Sequence, residues 1–288
     1  MTFLAVYLFV GLIAGFIAGL LGVGGGLILV PVLSWIYASQ GFPAEYNIHM
    51  ALATSLATIV LTSISSLRAH HGHGAVRWQI VRRIAPGIVL GTLAGAIAAA
   101  WLPDFGLRVF FTVFLFYAAT QMLFGLAPAA RSRGLNNGSA DVSLHRNSVF
   151  KPKAHRQLPG WPGMTAAGSV IGLVSSWVGI GGGTLSVPFL SWCNVRFQEA
   201  IGTSAAIGFP IAVSGAIGYA LSGQAVSGLP EWSLGFVYLP ALAAIAATSI
   251  VSAPWGARMT HQLPVARLKK IFAGLLYILA VRMAYSLF

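Results

Sequence analysis

The sequence predicts an all-α polytopic membrane protein of two inverted-topology repeats, each with three full helices and a glycine-broken helix pair, giving about 8 to 10 transmembrane segments. Three observations lead to this prediction: the composition, a motif that occurs twice, and the distribution of basic residues. Of the 288 residues, 57% are hydrophobic and only 8% are charged, whereas soluble proteins average about 25% charged residues. This composition excludes a secreted domain, a cytosolic enzyme and a disordered tail.

Eight stretches are long and apolar enough for a membrane-spanning helix of about 20 residues. They cover residues 2–21, 48–67, 84–101, 109–126, 161–178, 200–221, 234–251 and 271–288, the last interrupted only by Arg282. Two shorter apolar stretches, 27–39 and 184–193, each follow a cluster of glycines. A helix of about 13 residues spans only about 20 Å of the roughly 30 Å hydrocarbon core. We therefore expect each short helix to form a bent pair with the preceding helix, as a re-entrant hairpin or as two tilted crossings.

A glycine-rich motif occurs once in each half of the chain. The sequence GVGGGLILVPVLSW at 22–35 aligns without gaps on GIGGGTLSVPFLSW at 179–192, with nine of fourteen positions identical. After each motif, ALATSLA at 51–57 matches AIGTSAA at 200–206. Many transporter folds are built from such internal repeats. The predicted organisation is a first transmembrane repeat at 1–126, a basic cytoplasmic linker at 127–160 and a second transmembrane repeat at 161–288.

The basic residues predict how the two repeats are oriented. The loop at 68–83 has four arginines, whereas the equivalent loop of the second repeat, 222–232, has no basic residue. In the second repeat the basic residues lie in the following loop, at 258–270. The positive-inside rule places 68–83, the linker and 258–270 in the cytoplasm, so equivalent loops lie on opposite sides and both termini lie outside. The net charge of +12 thus reflects orientation rather than nucleic-acid binding, because no basic face carries interleaved aromatic residues.

The glycines of the two motifs are candidate substrate-binding residues. Backbone that is not helical survives at membrane depth only where protein covers it or where it lines a water-filled cavity. A helix begins after each cluster, and its free N–H groups and dipole favour an anion. The alternative is that the glycines only allow close helix packing, which suits Gly11, Gly15 and Gly19 well. The candidates are Gly22, Gly24, Gly25 and Gly26 with a helix break at Pro31, and Gly179, Gly181, Gly182 and Gly183 with a helix break at Pro188.

The matched Thr-Ser pairs, Thr54 with Ser55 and Thr203 with Ser204, are the second set of candidates. Their hydroxyls can donate to an anion without placing a fixed charge in the bilayer. Alternatively, they bond to the preceding helical turn or join neighbouring helices. Only His49 and Glu199 are placed for a proton relay, so both ion-coupled transport and uniport remain open.

The sequence HHGHG supports a second hypothesis, a membrane-embedded metal-dependent enzyme that uses His70, His71 and His73. The neighbouring Arg68 and Arg77 favour a solvated cytoplasmic loop instead. We therefore predict no metal site and no cofactor. A third hypothesis is an assembly or scaffold protein.

The doubled G-x-G-G-G-(four residues)-P motif, the paired Thr-Ser dipeptides and the basic centre resemble the TauE/SafE family of sulfite exporters, also called TSUP. The resemblance covers both repeats. It implies a multi-pass transporter, not an enzyme, that moves sulfite or an organosulfonate across the cytoplasmic (inner) membrane, and it implies a role for the glycines and hydroxyls named above. The expected mechanism is alternating access between the repeats. The expected partners are a small anionic substrate and the lipid bilayer, while a homo-oligomer and the identity of the anion are left open.

Overall fold

The computed structural model describes residues 2–21, 25–72, 74–124, 158–259 and 265–287. In this part of the chain, ten α-helices and one short β-hairpin are present. The first repeat contains α1 (Thr2–Leu21), α2 (Gly26–Ser39), α3 (Asn47–Gly72), α4 (Trp78–Ala99) and α5 (Asp104–Phe124). The second contains α6 (Trp161–Val178), α7 (Gly183–Trp192), α8 (Phe197–Gly223), β1 (Ser233–Leu234), β2 (Val237–Tyr238), α9 (Leu239–Met259) and α10 (Val265–Tyr285).

Length and composition confirm the predicted all-α polytopic membrane fold. Five of the described helices are long and apolar enough to cross a membrane, over Asn47–Arg68, Trp78–Ala99, Asp104–Phe124, Glu199–Gly223 and Leu239–Gly256. The predicted linker, 127–160, falls almost entirely outside the described residues, so its boundaries stay a prediction. The antiparallel pair of β1 and β2 between α8 and α9 was not predicted.

Several helices extend beyond the predicted stretches, and the extensions of α3 and α4 change the predicted basic loop. Helix α3 continues to Gly72 and includes His70 and His71, so the expected loop begins only after it. Helix α4 begins at Trp78, six residues before the apolar stretch at 84–101. The additional residues include Arg82 and Arg83, whose side chains are exposed. A helix accepts such residues near its end, where long basic side chains reach the membrane surface.

Helices α1 and α2 form a hairpin that returns to the face of the bundle from which it starts. At the base of the hairpin, the Gln40 amide donates to the Tyr7 hydroxyl over 2.9 Å. At its tip, a Cβ built on Gly25 would lie 3.2 Å from both Ala14 O and Ala18 Cβ. Helix α2 therefore runs antiparallel to α1, and its 14 residues are about 21 Å long, too short to cross the core.

The second repeat is inverted relative to the first, as predicted. The equivalent helices α3 and α8 pack against each other. Gly202, near the start of α8, contacts Ala75, just beyond the end of α3. Phe236, beyond the end of α8, stacks on His49 at the start of α3, with ring centroids 5.3 Å apart. Because the two equivalent helices are antiparallel, the repeats have opposite orientations.

The two repeats are joined by two equivalent pairs of parallel helices, α1 with α9 and α4 with α6. Gly11 and Gly15 of α1 pack on the backbone of α9, and Gly87, Gly91 and Gly168 lie in the contact between α4 and α6. A Cβ at any of these glycines would lie within 3.0 Å of the facing helix. Small residues at such spacing allow close helix contact inside membranes, so the packing interpretation of Gly11 and Gly15 fits the structure.

We call the end of the bundle where α4, α6 and α8 begin the basic face. There, the Thr165 hydroxyl of α6 donates to the carbonyl of Arg83 over 3.5 Å, and the backbone N–H of Arg77 donates to Thr203 over 3.1 Å. Since α6 and α8 both begin at this face, the short helix α7 returns the chain to it. The hairpin of α6 and α7 therefore enters from the basic face, and the hairpin of α1 and α2 enters from the opposite one.

Candidate functional site

The tips of the two hairpins are built on glycines in the left-handed backbone region. Gly25 has φ of 70° and caps the N-terminus of α2, while Gly182 has φ of 78° and caps the N-terminus of α7. Residues other than glycine are disfavoured at such φ values, because their Cβ atoms clash with the backbone. The first-turn N–H groups of both short helices therefore emerge at the tips. The predicted residues Gly22 and Gly24 lie outside the described residues.

The two tips touch each other. A Cβ built on Gly26 would overlap the carbonyl oxygen of Gly179 and would lie 3.1 Å from Ile180 Cα. Gly179 ends α6, and the next residues form the turn before Gly182 and Gly183, the first residue of α7. The carbonyl of Gly181 faces α8, where it packs against Gly208. Because the hairpins enter from opposite faces, this contact lies in the interior of the bundle.

The predicted helix breaks at Pro31 and Pro188 are not where the helices break. Pro31 is an interior residue of α2, and Pro188 is an interior residue of α7. Each helix instead begins at its last motif glycine, five residues earlier. A proline has no N–H, so each of these prolines leaves the carbonyl four residues before it without its usual helical donor.

Thr54 and Ser55 are buried and form hydrogen bonds within the protein. The Thr54 hydroxyl oxygen accepts from the Tyr37 hydroxyl and from the backbone N–H of Tyr238, each over 3.1 Å. The Ser55 hydroxyl donates to the carbonyl of Gly179 over 2.9 Å. Ser55 thus connects α3 of the first repeat directly to the tip of the second hairpin.

Thr203 occupies the position in the second repeat that corresponds to Thr54. Its hydroxyl oxygen accepts from the backbone N–H of Arg77, immediately before α4, just as Thr54 accepts from Tyr238, immediately before α9. Ser204 instead donates to the carbonyl of Ile201 in its own helix over 2.9 Å. The two threonines therefore make equivalent contacts between the repeats, one near each face.

Sequence reasoning missed three hydroxyls beside the second tip. Ser175 of α6 and Thr184 and Ser186 of α7 are buried, and their hydroxyl oxygens have no hydrogen-bond partner in the described part of the chain. A Cβ on Gly182 would lie 3.4 Å from Ser186 Oγ, so this hydroxyl adjoins the tip. Buried hydroxyls usually have partners, so each of these three is a candidate ligand donor, and Ser186 is the one with a distance of 3.4 Å to a Cβ built at the tip.

The alignment of the two motifs contains the signal for these hydroxyls. At the three equivalent positions the first repeat has Ala18, Leu27 and Leu29. The polar groups therefore belong to one hairpin only. Among the side chains that the structure describes, no Asp, Glu, Lys or Arg is buried, so the described residues of the tips combine helix N-termini and hydroxyls without a fixed charge.

Of the histidines in HHGHG, the structure describes the side chain of His71 alone. His71 is exposed, and its Nδ1 accepts a hydrogen bond from the indole N–H of Trp78 over 3.4 Å. No group of three or more His, Cys, Asp or Glu side chains that could hold a metal is present in that part of the chain. His73 lies outside it.

Comparison with known proteins adds to this geometry. The family described as sulfite exporter TauE/SafE matches residues 7–283. The chain belongs to this family. It is 37% identical to a probable membrane transporter protein of Haemophilus influenzae over 282 residues, which cover 98% of each chain. It is 23% identical to a probable membrane transporter protein of Methanocaldococcus jannaschii, over 97% of this chain and 95% of the other.

A further relative is the probable membrane transporter protein MamO of Magnetospirillum gryphiswaldense, 24% identical over 94% of this chain and 43% of the relative. No solved structure matches this chain. Family membership and the apolar helices together identify a multi-pass membrane transporter.

Proposed function

We propose that this transporter moves a small anion, sulfite or an organosulfonate, across the cytoplasmic membrane by alternating access at the hairpin tips. The observation that carries the proposal is the contact between two glycine tips that enter the bundle from opposite faces, at Gly26 and Gly179. Helix N-termini attract anions because their N–H groups are free and the helix dipole is positive there. The family description names sulfite. No buried charged side chain is described near the tips, and a site without a fixed positive charge would hold an anion weakly enough to release it.

The hydroxyls of Ser175, Thr184 and Ser186 supply the remaining donors. A hydrogen bond to a charged group contributes about 1.5–3 kcal/mol. Because these hydroxyls have no partner in the described part of the chain, they are available to an anion without first breaking another bond. They lie on the hairpin from the basic face, so we expect the anion to bind closer to α7 than to α2.

Access to the tips requires that the two repeats move relative to each other. In this structure the two tips are in contact at Gly26 and Gly179. Helix α1 packs along α9 of the other repeat, and α6 packs along α4. A rocking motion of one repeat against the other would separate the tips toward one face at a time, as in other transporters built from inverted repeats.

The proposal is tested by anion flux into liposomes that contain the purified protein, with sulfite and with small sulfonates. We expect Ser186→Ala to lower flux at subsaturating anion by about tenfold or more, since one charge-assisted hydrogen bond is lost. Ser222→Ala is the matched control, because Ser222 only donates to the carbonyl of Gly218 in its own helix. Flux of Ser186→Ala equal to that of the control would contradict the assignment, and no flux of any tested anion would contradict the proposed substrate class.

A further inference from the structure

A cavity of about 310 Å³ opens on the basic face between the first turns of α4 and the start of α6. Its walls contain two arginines, one amide side chain and several apolar side chains. The lining residues are Arg77, Trp78, Gln79, Ile80, Arg83, Leu158 and Met164. The cavity is separate from the hairpin tips. Neither the composition of the motifs nor the predicted site residues pointed to it.

The charge in this cavity is only partly neutralised. Arg77 forms an ion pair with Glu199 of α8, with 2.8 Å between the guanidinium nitrogen and the carboxylate oxygen. The other carboxylate pair in the described part of the chain joins Arg108 to Asp104, so Arg83 takes part in neither. The first turn of α4 adds the positive end of a helix dipole at the same wall.

We propose that this cavity binds an oxyanion, held by the guanidinium groups of Arg83 and Arg77. The shared chemistry is that of a tetrahedral or pyramidal oxyanion, which either a phospholipid headgroup or a free inorganic anion provides. Guanidinium groups bind such oxygens through paired hydrogen bonds. The apolar part of the wall, with Ile80, Leu158 and Met164, lies beside the charged part, and basic pockets between membrane helices are known sites for anionic headgroups.

Occupancy of the cavity acts on the contact between the repeats. The backbone N–H of Arg77 donates to Thr203, and its side chain holds Glu199, so one residue connects the cavity to the start of α8. An anion that draws the guanidinium of Arg77 toward Arg83 competes with Glu199 for it. Binding in the cavity therefore weakens the ion pair that joins α4 to α8.

The test uses the purified full-length protein in detergent and has two arms. In one arm, inorganic phosphate and sulfite are titrated calorimetrically. In the other, native mass spectrometry measures retention of phosphatidylglycerol relative to phosphatidylcholine. The variant is Arg83→Gln, and the matched control is Arg82→Gln, which removes the same charge from the neighbouring exposed position outside the cavity.

We expect Arg83→Gln to weaken binding about tenfold in at least one arm, the size expected for one lost charged donor, while Arg82→Gln stays within about twofold of wild type. Loss in the phosphate and sulfite arm assigns the site to free anions, and loss in the phosphatidylglycerol arm assigns it to lipid. Equal losses in Arg82→Gln and Arg83→Gln, or unchanged binding in both arms, would overturn the inference.

A second variant keeps the inference testable if Arg83→Gln does not fold. Glu199→Gln removes the carboxylate that competes for Arg77, so the same probes should bind severalfold more tightly. Unchanged or weaker binding in Glu199→Gln would also count against the site. Sulfite bound at the hairpin tips would contribute equally in Arg82→Gln and Arg83→Gln, so the difference between these variants reports the cavity whether or not the tips carry the proposed flux.

Discussion

The contact between the hairpin tips makes a specific prediction for Gly26→Ala. The added methyl group would overlap the carbonyl oxygen of Gly179 and lie 3.1 Å from Ile180 Cα, where ordinary contacts are longer than 3.4 Å. Both neighbours are backbone atoms, so they cannot turn away as a flexible side chain would. Alanine at position 26 therefore has to push the second hairpin aside.

The expected size follows from two opposing terms. Overpacking of this kind typically destabilises by about 1–3 kcal/mol, and replacing glycine by alanine in a helix stabilises by up to about 1 kcal/mol. The control is Gly274→Ala, since Gly274 lies in α10 with no atom within 4 Å of a built Cβ. We expect Gly26→Ala to be about 1–3 kcal/mol less stable than Gly274→Ala.

Two measurements check this prediction: the free energy of unfolding in mixed detergent micelles, and sulfite flux in liposomes. We expect Gly26→Ala to lower both, because the tips must meet and part in each transport cycle of the proposed mechanism. We expect Gly274→Ala to leave flux unchanged. If Gly26→Ala matched the control in stability and in flux, the two tips would not be in contact and the site would have to lie elsewhere.

Three further predictions test the contacts between the repeats and their orientation in the membrane. Thr203→Val removes the acceptor for the backbone N–H of Arg77, so we expect about 1–3 kcal/mol of lost stability, measured by the same unfolding assay. The methyl group of Gly91→Ala would overlap a backbone carbonyl of α6. We expect this variant to be less stable than Gly274→Ala by about 1 kcal/mol or more. Reporter fusions at residues 140 and 226 should report opposite sides of the membrane, and finding both on one side would contradict the inverted topology.

The hairpins and their inversion were predictable because their signals are local. Gly25 and Gly182 adopt backbone angles that favour glycine, so the motif that contains them marks the position of each tip. The arginines of α4 marked one face of the bundle through the positive-inside rule. Neither conclusion needed knowledge of which helices touch.

The contacts that complete the site were not predictable, because they join distant parts of the chain. Thr54 and Thr203 are acceptors for backbone N–H groups 184 and 126 residues away, and their sequence indicates only a hydroxyl. Thr184 and Ser186 stand where the first motif has leucines, so the shared pattern of the two motifs does not include them. A repeat alignment shows shared architecture, and its mismatches show where the two copies differ in chemistry.

The two repeats also differ in the contacts that lie near each face. Near the face opposite the basic one, Thr54 lies beside a cluster in which Phe42 stacks on Tyr37 at 5.0 Å and meets Tyr238 edge-on at 5.1 Å between ring centroids. Near the basic face, Thr203 lies beside the ion pair of Arg77, whose side chain is 47% exposed. Salt screens an exposed ion pair but leaves aromatic packing largely intact. On the proposed mechanism, raised ionic strength therefore favours opening toward the basic face, although the two repeats share one architecture.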